Sequence, residues 1–306
     1  MSLQPLRVST FPNAKALPLW AGRDFGLFER HGLDLHIEET ESSTAQREKL
    51  ARGEIDIAQS AVDNALAMIL AGHDVIIVMG GESGMNDFIV RPDIHSFADF
   101  RGKTLLVDAP DTAYALQARQ LLARAGLEAS RDYAIHAAGN SARRFRALMD
   151  NVAYAGAVLN PPFSSQALLG GMKSLGRMVD LLGPYQAGGA FLMRSFAREH
   201  GGLVEAYISA YLESLVFIAD PAHAGAMTAM LAARLRLNAA TADLAWRQIV
   251  DPGFGFTPQG RLDRTGFANM LATRALTEGR DARLENTGAY IDESFYDRAL
   301  AASLRT

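Results

Sequence analysis

The feature that most constrains the fold of this chain is a strand–helix alternation through its first two-thirds. Strand-like segments such as LRVSTF and LDLHIEE each precede a segment with helical spacing, and the order recurs around IDIAQ, TLLVDAP, YAIHAAG and AYAGAVLN. Repeated units of this kind form parallel sheets covered by helices on both faces. From about Gly201 the pattern changes to long helical segments. The sequence therefore predicts an α/β fold.

Two glycine-rich segments indicate where the chain passes between lobes. GGESGMND, residues 80–87, lies between two apolar strands, and LLGPYQAGGAFLM, residues 181–193, holds three glycines and a proline. About a hundred residues lie between them, a typical length for a small domain. We predict one lobe from residues 1–86 plus 190–306 and a second, inserted lobe from residues 87–189. Two such crossings form a natural hinge, with a ligand cleft between the lobes.

Composition narrows the range of possible functions. The net charge of -4 and the pI of about 6.0 argue against nucleic-acid binding, which needs a basic face. Cysteine is absent, which excludes disulfides, thiolate zinc sites and cysteine nucleophiles. The seven histidines show no helix-spaced ligand pair, so we expect no metal and no cofactor. We predict no membrane span, because prolines and polar residues interrupt the uncharged residues 151–172.

The candidate ligand-binding residues lie in loops at strand ends and in the two crossings. Ligands of open α/β sheets bind beyond the carboxyl ends of the strands, against the helices that follow. Aromatic rings there offer flat contact, and hydroxyl, amide and carboxylate groups offer hydrogen bonds. By this reasoning we select Phe11, Asn13, Trp20, Ser42, Ser43, Thr44, Ser60, Asp63, Asn64, Glu82, Asp108, Thr112, Tyr114, Asn140, Asn160, Phe163 and Tyr185.

Several candidates have an equally simple structural interpretation. Trp20 can anchor its helix to the core, residues 42–44 can cap a helix, and Asp63 can do the same. We expect Lys15, the cation of the first strand-end loop, to be solvated. The arginines at positions 143–144 lie near a helix start, where we expect a surface salt bridge.

Three motifs occur in order along the chain and carry a family resemblance. They are G-x-F-x-x-x-G-L at Gly26, Phe28, Gly32 and Leu33, G-x-x-D-I-A at Gly53, Asp56, Ile57 and Ala58, and a variant of L-R-G-K at Phe100, Arg101, Gly102 and Lys103. Together these motifs resemble those of the solute-binding components of ABC importers, specifically the nitrate/sulfonate/taurine and thiamine-precursor (pyrimidine) group. The closing IDESFYDRAL also resembles the C-terminal tail of that group. Phe100 stands where the L-R-G-K motif of the group usually has leucine.

The resemblance implies a type II-like periplasmic-binding-protein fold, with two parallel-type sheet lobes joined by two hinge crossings. Such a protein captures a solute by hinge closure and delivers it to an ABC permease in the inner membrane. We expect a monomer that is not an enzyme. We also expect a periplasmic location, with the leader removed and MSL as a remnant of expression. The candidate rings and hydroxyls favour a planar or aromatic ligand, while sulfonate, carboxylate and amino-bearing pyrimidine-like ligands stay open.

Two alternatives from other classes remain at this point. A cytosolic enzyme, a lyase or a biosynthetic enzyme, can be built on the same bilobed fold. A pyrimidine-forming enzyme of that fold relies on a cysteine-rich motif, which this cysteine-free chain lacks. The third possibility is the ligand-sensing half of a regulator, although no clear helix-turn-helix segment is present.

Overall fold

The computed structural model describes residues 2–257, 259–279 and 281–303, and its strands form two separate five-stranded sheets. The strands are β1 (Gln4–Thr10), β2 (Leu33–Glu39), β3 (Ile57–Ala61), β4 (Val75–Glu82), β5 (Asp87–Val90), β6 (Thr104–Val107), β7 (Ala134–Ala137), β8 (Tyr154–Leu159), β9 (Lys173–Arg177) and β10 (Gly188–Met193). The first sheet has the order β2-β1-β3-β10-β4, and the second has the order β7-β6-β8-β5-β9.

Helices cover the two sheets and fill the C-terminal third of the chain. They are α1 (Leu17–Asp24), α2 (Leu27–Arg30), α3 (Ser43–Ala51), α4 (Asp63–Leu70), α5 (Ala113–Arg124), α6 (Ser141–Asp150), α7 (Phe163–Leu169), α8 (Met178–Leu182), α9 (Arg194–Glu199), α10 (Gly201–Ala219), α11 (Ala224–Leu235), α12 (Ala239–Val250), α13 (Arg264–Glu278), α14 (Ala282–Glu285) and α15 (Ser294–Ser303). Short 3-10 turns lie at Ala14–Ala16, Phe97–Phe100, Pro221–His223 and Thr287–Ala289.

Each sheet is mixed rather than purely parallel, which differs from the sequence-based expectation. β10 runs antiparallel to β3 and β4, and β5 runs antiparallel to β8 and β9. The reason is the path of the chain. A strand that enters a lobe directly from a crossing starts at the cleft and runs away from it, whereas the other strands run towards it. The cleft-side residues Asp87 and Leu159 are paired, as are Gly188 and Ala61.

The chain crosses between the two sheets at two glycine-containing segments. The chain leaves the first sheet after Glu82 and enters the second at Asp87; it returns through α8 and reaches β10 at Gly188. Gly84 adopts φ +91° in the first crossing, a conformation that favours glycine. The predicted boundary at 189/190 falls inside β10. Residues 1, 258, 280 and 304–306 of the predicted first lobe lie outside the described residues.

The segment with helical spacing that follows LRVSTF forms two helices in the structure rather than one. Gly26 adopts φ 71° between α1 and α2, and this left-handed residue ends the first helix and redirects the chain. The strand-like segment LDLHIEE is present as β2, where Leu33 and Leu35 are buried and the residues between and after them are more exposed. Its register with β1 runs from Gln4–Leu33 to Thr10–Glu39.

The hydrophobic core lies on both faces of each sheet. In β4, Ile76 and Val78 pack into one apolar cluster and Val75 and Ile77 pack into another. Burial on both faces explains why such strands are continuous apolar runs. α10 is long and apolar enough to cross a membrane by length and composition alone, but 50% of its apolar stretch is buried inside the protein. Its Tyr207 and Tyr211 belong to the core of the first lobe, so here it is a core helix.

Candidate functional site

A cavity lies between the two lobes, at the cleft-side ends of both sheets. It encloses about 680 Å³ of empty space, part of which is open to solvent. The first lobe contributes the loop after β1 and the starts of α3 and α4; the second contributes the loops after β6, β7 and β8. These loops follow parallel strands whose carboxyl ends meet at the cleft, the usual position of ligand sites in α/β sheets.

Most of the residues selected from the sequence line this cavity. They are Phe11, Asn13, Ser43, Ser60, Asn64, Glu82, Asp108, Thr112, Tyr114, Asn140 and Asn160. Their arrangement follows from short local structures. The Asn13 side chain caps the 3-10 turn that carries Lys15, and the Asn140 side chain caps α6. These caps hold the polar loops in one conformation at the mouth of the cavity.

Three selected residues lie outside the cavity wall and hold helices in place. Trp20 is 1% exposed and packs in the core of the first lobe, with the Arg234 guanidinium 5.4 Å from its ring centre. The Ser42 side chain accepts from the Ala45 amide as the cap of α3. Thr44 lies on the exposed side of α3 and faces Arg47.

The other three selected residues outside the wall are buried in the packing around it. Asp63 forms an ion pair with Arg274, at 2.8 Å between Oδ2 and Nη2. Phe163 packs on Phe145, with their ring centres 6.1 Å apart. Tyr185 is part of the core under the first sheet, where burial raises the pKa of its hydroxyl.

Sequence reasoning missed several residues of the cavity wall. They are Thr10, Lys15, Gln59, Ala61, Ala113, Ser141, Arg144, Gly188, Tyr211 and Phe256. Ser141 and Arg144 begin the helix after β7 and fit the same strand-end rule, so that signal was present. Tyr211 and Phe256 come from the C-terminal helical region, where no local pattern marks a ligand site.

Lys15 is the centre of one charged group in the cavity wall, and its side chain is mostly buried, at 13% exposed, rather than solvated as expected. Its Nζ lies 2.8 Å from Glu82 Oε1 and donates to the Tyr114 hydroxyl at 3.1 Å. Burial alone would lower the pKa of Lys15, but the Glu82 carboxylate and the Tyr114 hydroxyl outweigh burial and raise it. Lys15 therefore stays charged and joins the first crossing, through Glu82, to the second lobe, through Tyr114.

Asp108 and Arg144 form the second charged group. The Ser43 amide donates to Asp108 Oδ2 at 3.2 Å, and the Ser43 hydroxyl donates to the same oxygen. Arg144 donates to Gly139 O at 2.6 Å, to Ser141 Oγ at 2.9 Å and to the carbonyl of β8. Burial lowers the pKa of Arg144, and the nearby Asp108 charge opposes this.

The lobes contact each other around the mouth of the cavity. Arg47 Nη1 lies 2.8 Å from Asp111 Oδ2, and the Arg143 guanidinium pairs with Glu41 at 2.5 Å. Arg143 thus forms a salt bridge, as its position at a helix start suggested, but the partner is on the other lobe. The structure therefore shows the lobes in a closed arrangement.

The described residues contain no group of three histidine, aspartate or glutamate side chains placed to hold a metal ion. The cavity wall is built instead from rings, hydroxyls, amides and paired charges. Such a lining suits an organic molecule that is held by ring contact and hydrogen bonds.

Two sheet lobes, two crossings and a cavity between strand ends define the periplasmic-binding-protein fold, which confirms the bilobed fold predicted from the sequence. The sequence profile of the NMT1-like family matches residues 2–232, and the chain belongs to this family. No curated protein sequence matches the chain.

Solved structures agree with this fold assignment. The periplasmic nitrate-binding protein NrtA from Synechocystis PCC 6803 superimposes with a TM-score of 0.80 at 13% identity, covering 98% of this chain and 89% of that one. The alkanesulfonate-binding protein SsuA from Xanthomonas axonopodis pv. citri, bound to MOPS, gives 0.73 at 18% identity, with 98% of each chain covered. The desulfurization enzyme DSZB gives 0.65 at 17%, covering 98% and 99%. Similarity at these identities establishes the fold.

Proposed function

We propose that this chain is the periplasmic solute-binding component of an ABC importer and that it binds a small organic molecule between its lobes. The observation that carries the proposal is a cavity whose wall is shared by both lobes and lies next to both crossings. The cavity is concave and of mixed polarity, as small-molecule sites are. The structurally similar proteins NrtA and SsuA are binding proteins with the same fold as this chain, which supports this function.

The proposed mechanism is hinge closure. A solute that touches Asn64 of the first lobe and Asn160 of the second makes both contacts only when the lobes are closed. Such a ligand binds the closed state more tightly and shifts the population towards it. Lobe contacts such as Arg47–Asp111 then add to closure. No bond of the solute is made or broken.

The aromatic part of the wall favours a solute with a flat apolar portion. Phe11, Tyr114, Tyr211 and Phe256 come from four different segments of the chain and converge on the cavity. Aromatic side chains supply large contact areas with defined geometry. We therefore propose a planar or aromatic organic solute, and its cognate permease is the expected partner in the inner membrane.

The enzyme alternative has one observation in its favour, the shared fold with DSZB. The chemistry of the wall supports binding instead. Ser43 is hydrogen-bonded directly to Asp108, and no histidine lies among the described residues that line the cavity. A serine nucleophile needs a neighbouring base such as a neutral imidazole to take its proton. The chain also has no cysteine to act as a nucleophile.

A thermal-shift screen followed by recovery of the ligand tests the proposal. The protein is screened against organic acids, sulfonates, amides, amines and pyrimidines. A ligand that binds only the folded state raises Tm, because it stabilises that state by about 2.7 kcal/mol at a hundredfold excess over Kd. We expect at least one such hit and expect mass spectrometry to return it unchanged after long incubation. A hit that is converted into a product would support an enzyme instead.

A matched pair of variants locates the binding event. Asn160→Ala changes a buried side chain of the cavity wall, and Asn151→Ala changes an exposed one at the far end of α6. We expect the first variant to weaken binding of the hit at least tenfold and the second to leave it unchanged. Equal effects, or none at Asn160, would place the binding site elsewhere.

A further inference from the structure

We propose that the cleft selects a small solute that carries N–H donors and has no net negative charge. This inference rests on the proposed binding function and adds the chemical class of the ligand. It comes from the charges and the unpartnered polar atoms of the cavity wall.

The charges of the cavity wall already balance without a ligand. The described wall holds two cations, Lys15 and Arg144, and two carboxylates, Glu82 and Asp108. Lys15 is occupied by Glu82 and by the Tyr114 hydroxyl. A buried charge is costly unless an opposite charge or hydrogen bonds compensate it. An added anion would leave this enclosed wall with an uncompensated negative charge, whereas a neutral solute would preserve the balance.

Arg144 is the group that an anion would be expected to use, but three of its five N–H donors are already engaged. Its two terminal nitrogens donate to the Gly139 carbonyl, the Ser141 hydroxyl and the Val158 carbonyl. It is 2% exposed, and Asp108 is close enough to raise its pKa against the effect of burial. Arg144 therefore organises the loops of the second lobe and offsets Asp108.

Four buried polar atoms of the described wall have no hydrogen-bond partner in the protein: three are acceptor oxygens, and the fourth is the Tyr211 hydroxyl, which can accept or donate. Asp108 Oδ1, Asn64 Oδ1 and Asn160 Oδ1 are buried and have no hydrogen-bond partner in the protein. Their residues are 9%, 3% and 3% exposed. The other Asp108 oxygen is occupied by Ser43. Since buried polar groups in native proteins are nearly always paired, these oxygens point to donors supplied by the ligand.

The three acceptors also lie on both sides of the cleft. Asn64 belongs to α4 of the first lobe, while Asp108 and Asn160 follow β6 and β8 of the second. A solute with N–H groups on two sides satisfies acceptors of both lobes, but only when the lobes are closed. Amides, amines and amidines have this chemistry; nitrate, sulfonates and carboxylates have acceptors only. A site built for donors rejects analogues that lack them, because its buried acceptors are then left unpaired.

Pairs of probes with the same shape but different charge test this inference. Benzamide and benzamidine are compared with benzoate, and methanesulfonamide is compared with methanesulfonate, each by calorimetry at neutral pH and alongside the broad panel. We expect the donor-bearing member of a pair to bind at least tenfold more tightly than its anion. Asp108→Asn keeps the shape of the side chain and removes its charge, and we expect it to reduce this preference at least tenfold.

A second variant keeps the test informative if Asp108→Asn fails to fold. Asn160→Ala removes a neutral acceptor, and we expect it to weaken the donor-bearing probes at least tenfold. Preferential binding of the anions to the wild-type protein would overturn the ligand class while leaving the binding function in place. Absence of any ligand in either probe set or in the broad panel would count against the binding function, and this inference would fail with it.

Discussion

At the scale of single residues, Lys15 holds together groups that lie far apart in the sequence. Its ammonium contacts Glu82 and Tyr114. Lys15→Met keeps much of the side-chain volume but leaves Glu82, whose side chain is 3% exposed, without its cation. Removing one member of a buried pair costs about 3–5 kcal/mol. We expect the free energy of unfolding, measured with urea, to fall by about 3 kcal/mol.

Lys49 provides the matched control for this substitution. Its Nζ lies 2.7 Å from Glu38, but the two side chains are 37% and 39% exposed. Solvent-exposed ion pairs contribute little to stability, because water screens them. We expect Lys49→Met to leave urea unfolding almost unchanged. Equal losses in the two variants would mean that the Lys15–Glu82 pair has no special role.

Local rules of sequence identified the polar residues of the cavity better than the rest of its wall. Asp108 and Asn160 directly follow parallel strands, and that position alone brings them to the cleft. Trp20 shows the limit of the rule, because α1 turns its ring into the core. Tyr211 and Phe256 reach the wall through tertiary packing, which leaves no short-range pattern in the sequence.

At the scale of elements, β10 depends on close approach of its neighbours at the second crossing. A Cβ added at Gly189 would lie 2.3 Å from the Met79 carbonyl oxygen and 2.6 Å from Val62 Cγ1. The Met79 oxygen belongs to the backbone of β4, so it has little room to move. Overpacking of this kind costs about 1–3 kcal/mol. We expect Gly189→Ala to lower the unfolding midpoint correspondingly.

Gly202→Ala is the control for that prediction. A Cβ at Gly202, in the first turn of α10, meets no atom within 4 Å. Alanine is a better helix former than glycine by up to about 1 kcal/mol. We expect this variant to be unchanged or slightly more stable in the same urea experiment. Destabilisation by both substitutions to a similar extent would contradict the packing explanation.

The contact between α3 and the start of α5 predicts a pH dependence. Burial would raise the pKa of Asp111, but the hydrogen bond and charge of Arg47 across the cleft lower it below 3.8. Because the closed state favours the ionised carboxylate, its contribution is complete above the ordinary pKa. It is lost as the pH falls through the depressed pKa. We expect ligand affinity to decrease in acid below about pH 4, and Asp111→Asn to show a weaker decrease. Identical acid profiles would contradict the role of this pair.

The order of elements was predictable from the sequence, whereas strand direction and helix breaks were not. Alternating strand and helix patterns gave the βα units, because periodicity is a local property. The directions of β5 and β10 depend on the path of the chain through the crossings, which periodicity does not encode. The break at Gly26 depends on a left-handed conformation that glycine permits but does not require.

At the scale of the whole molecule, the proposed function makes ligand binding and lobe closure one event. The structure shows lobe-to-lobe contacts at Ser43–Asp108, Arg47–Asp111 and Glu41–Arg143. α13 follows the second lobe in the chain and contacts both lobes. Its Arg274 pairs with Asp63 of the first lobe, and the helix packs against α5 of the second. The Arg143–Glu41 pair is exposed and screened by water, whereas the Ser43–Asp108 contact is buried and therefore contributes more to the closed state.

The distance between the lobes tests the central claim most directly. The chain has no cysteine, so Glu48→Cys on α3 and Arg146→Cys on α6 provide two unique, exposed labelling sites. With spin labels at both sites, we predict a broad distance distribution without ligand. Addition of a screening hit should convert it to a single shorter distance. A saturated protein whose distance distribution equals that of the free protein would contradict binding by closure.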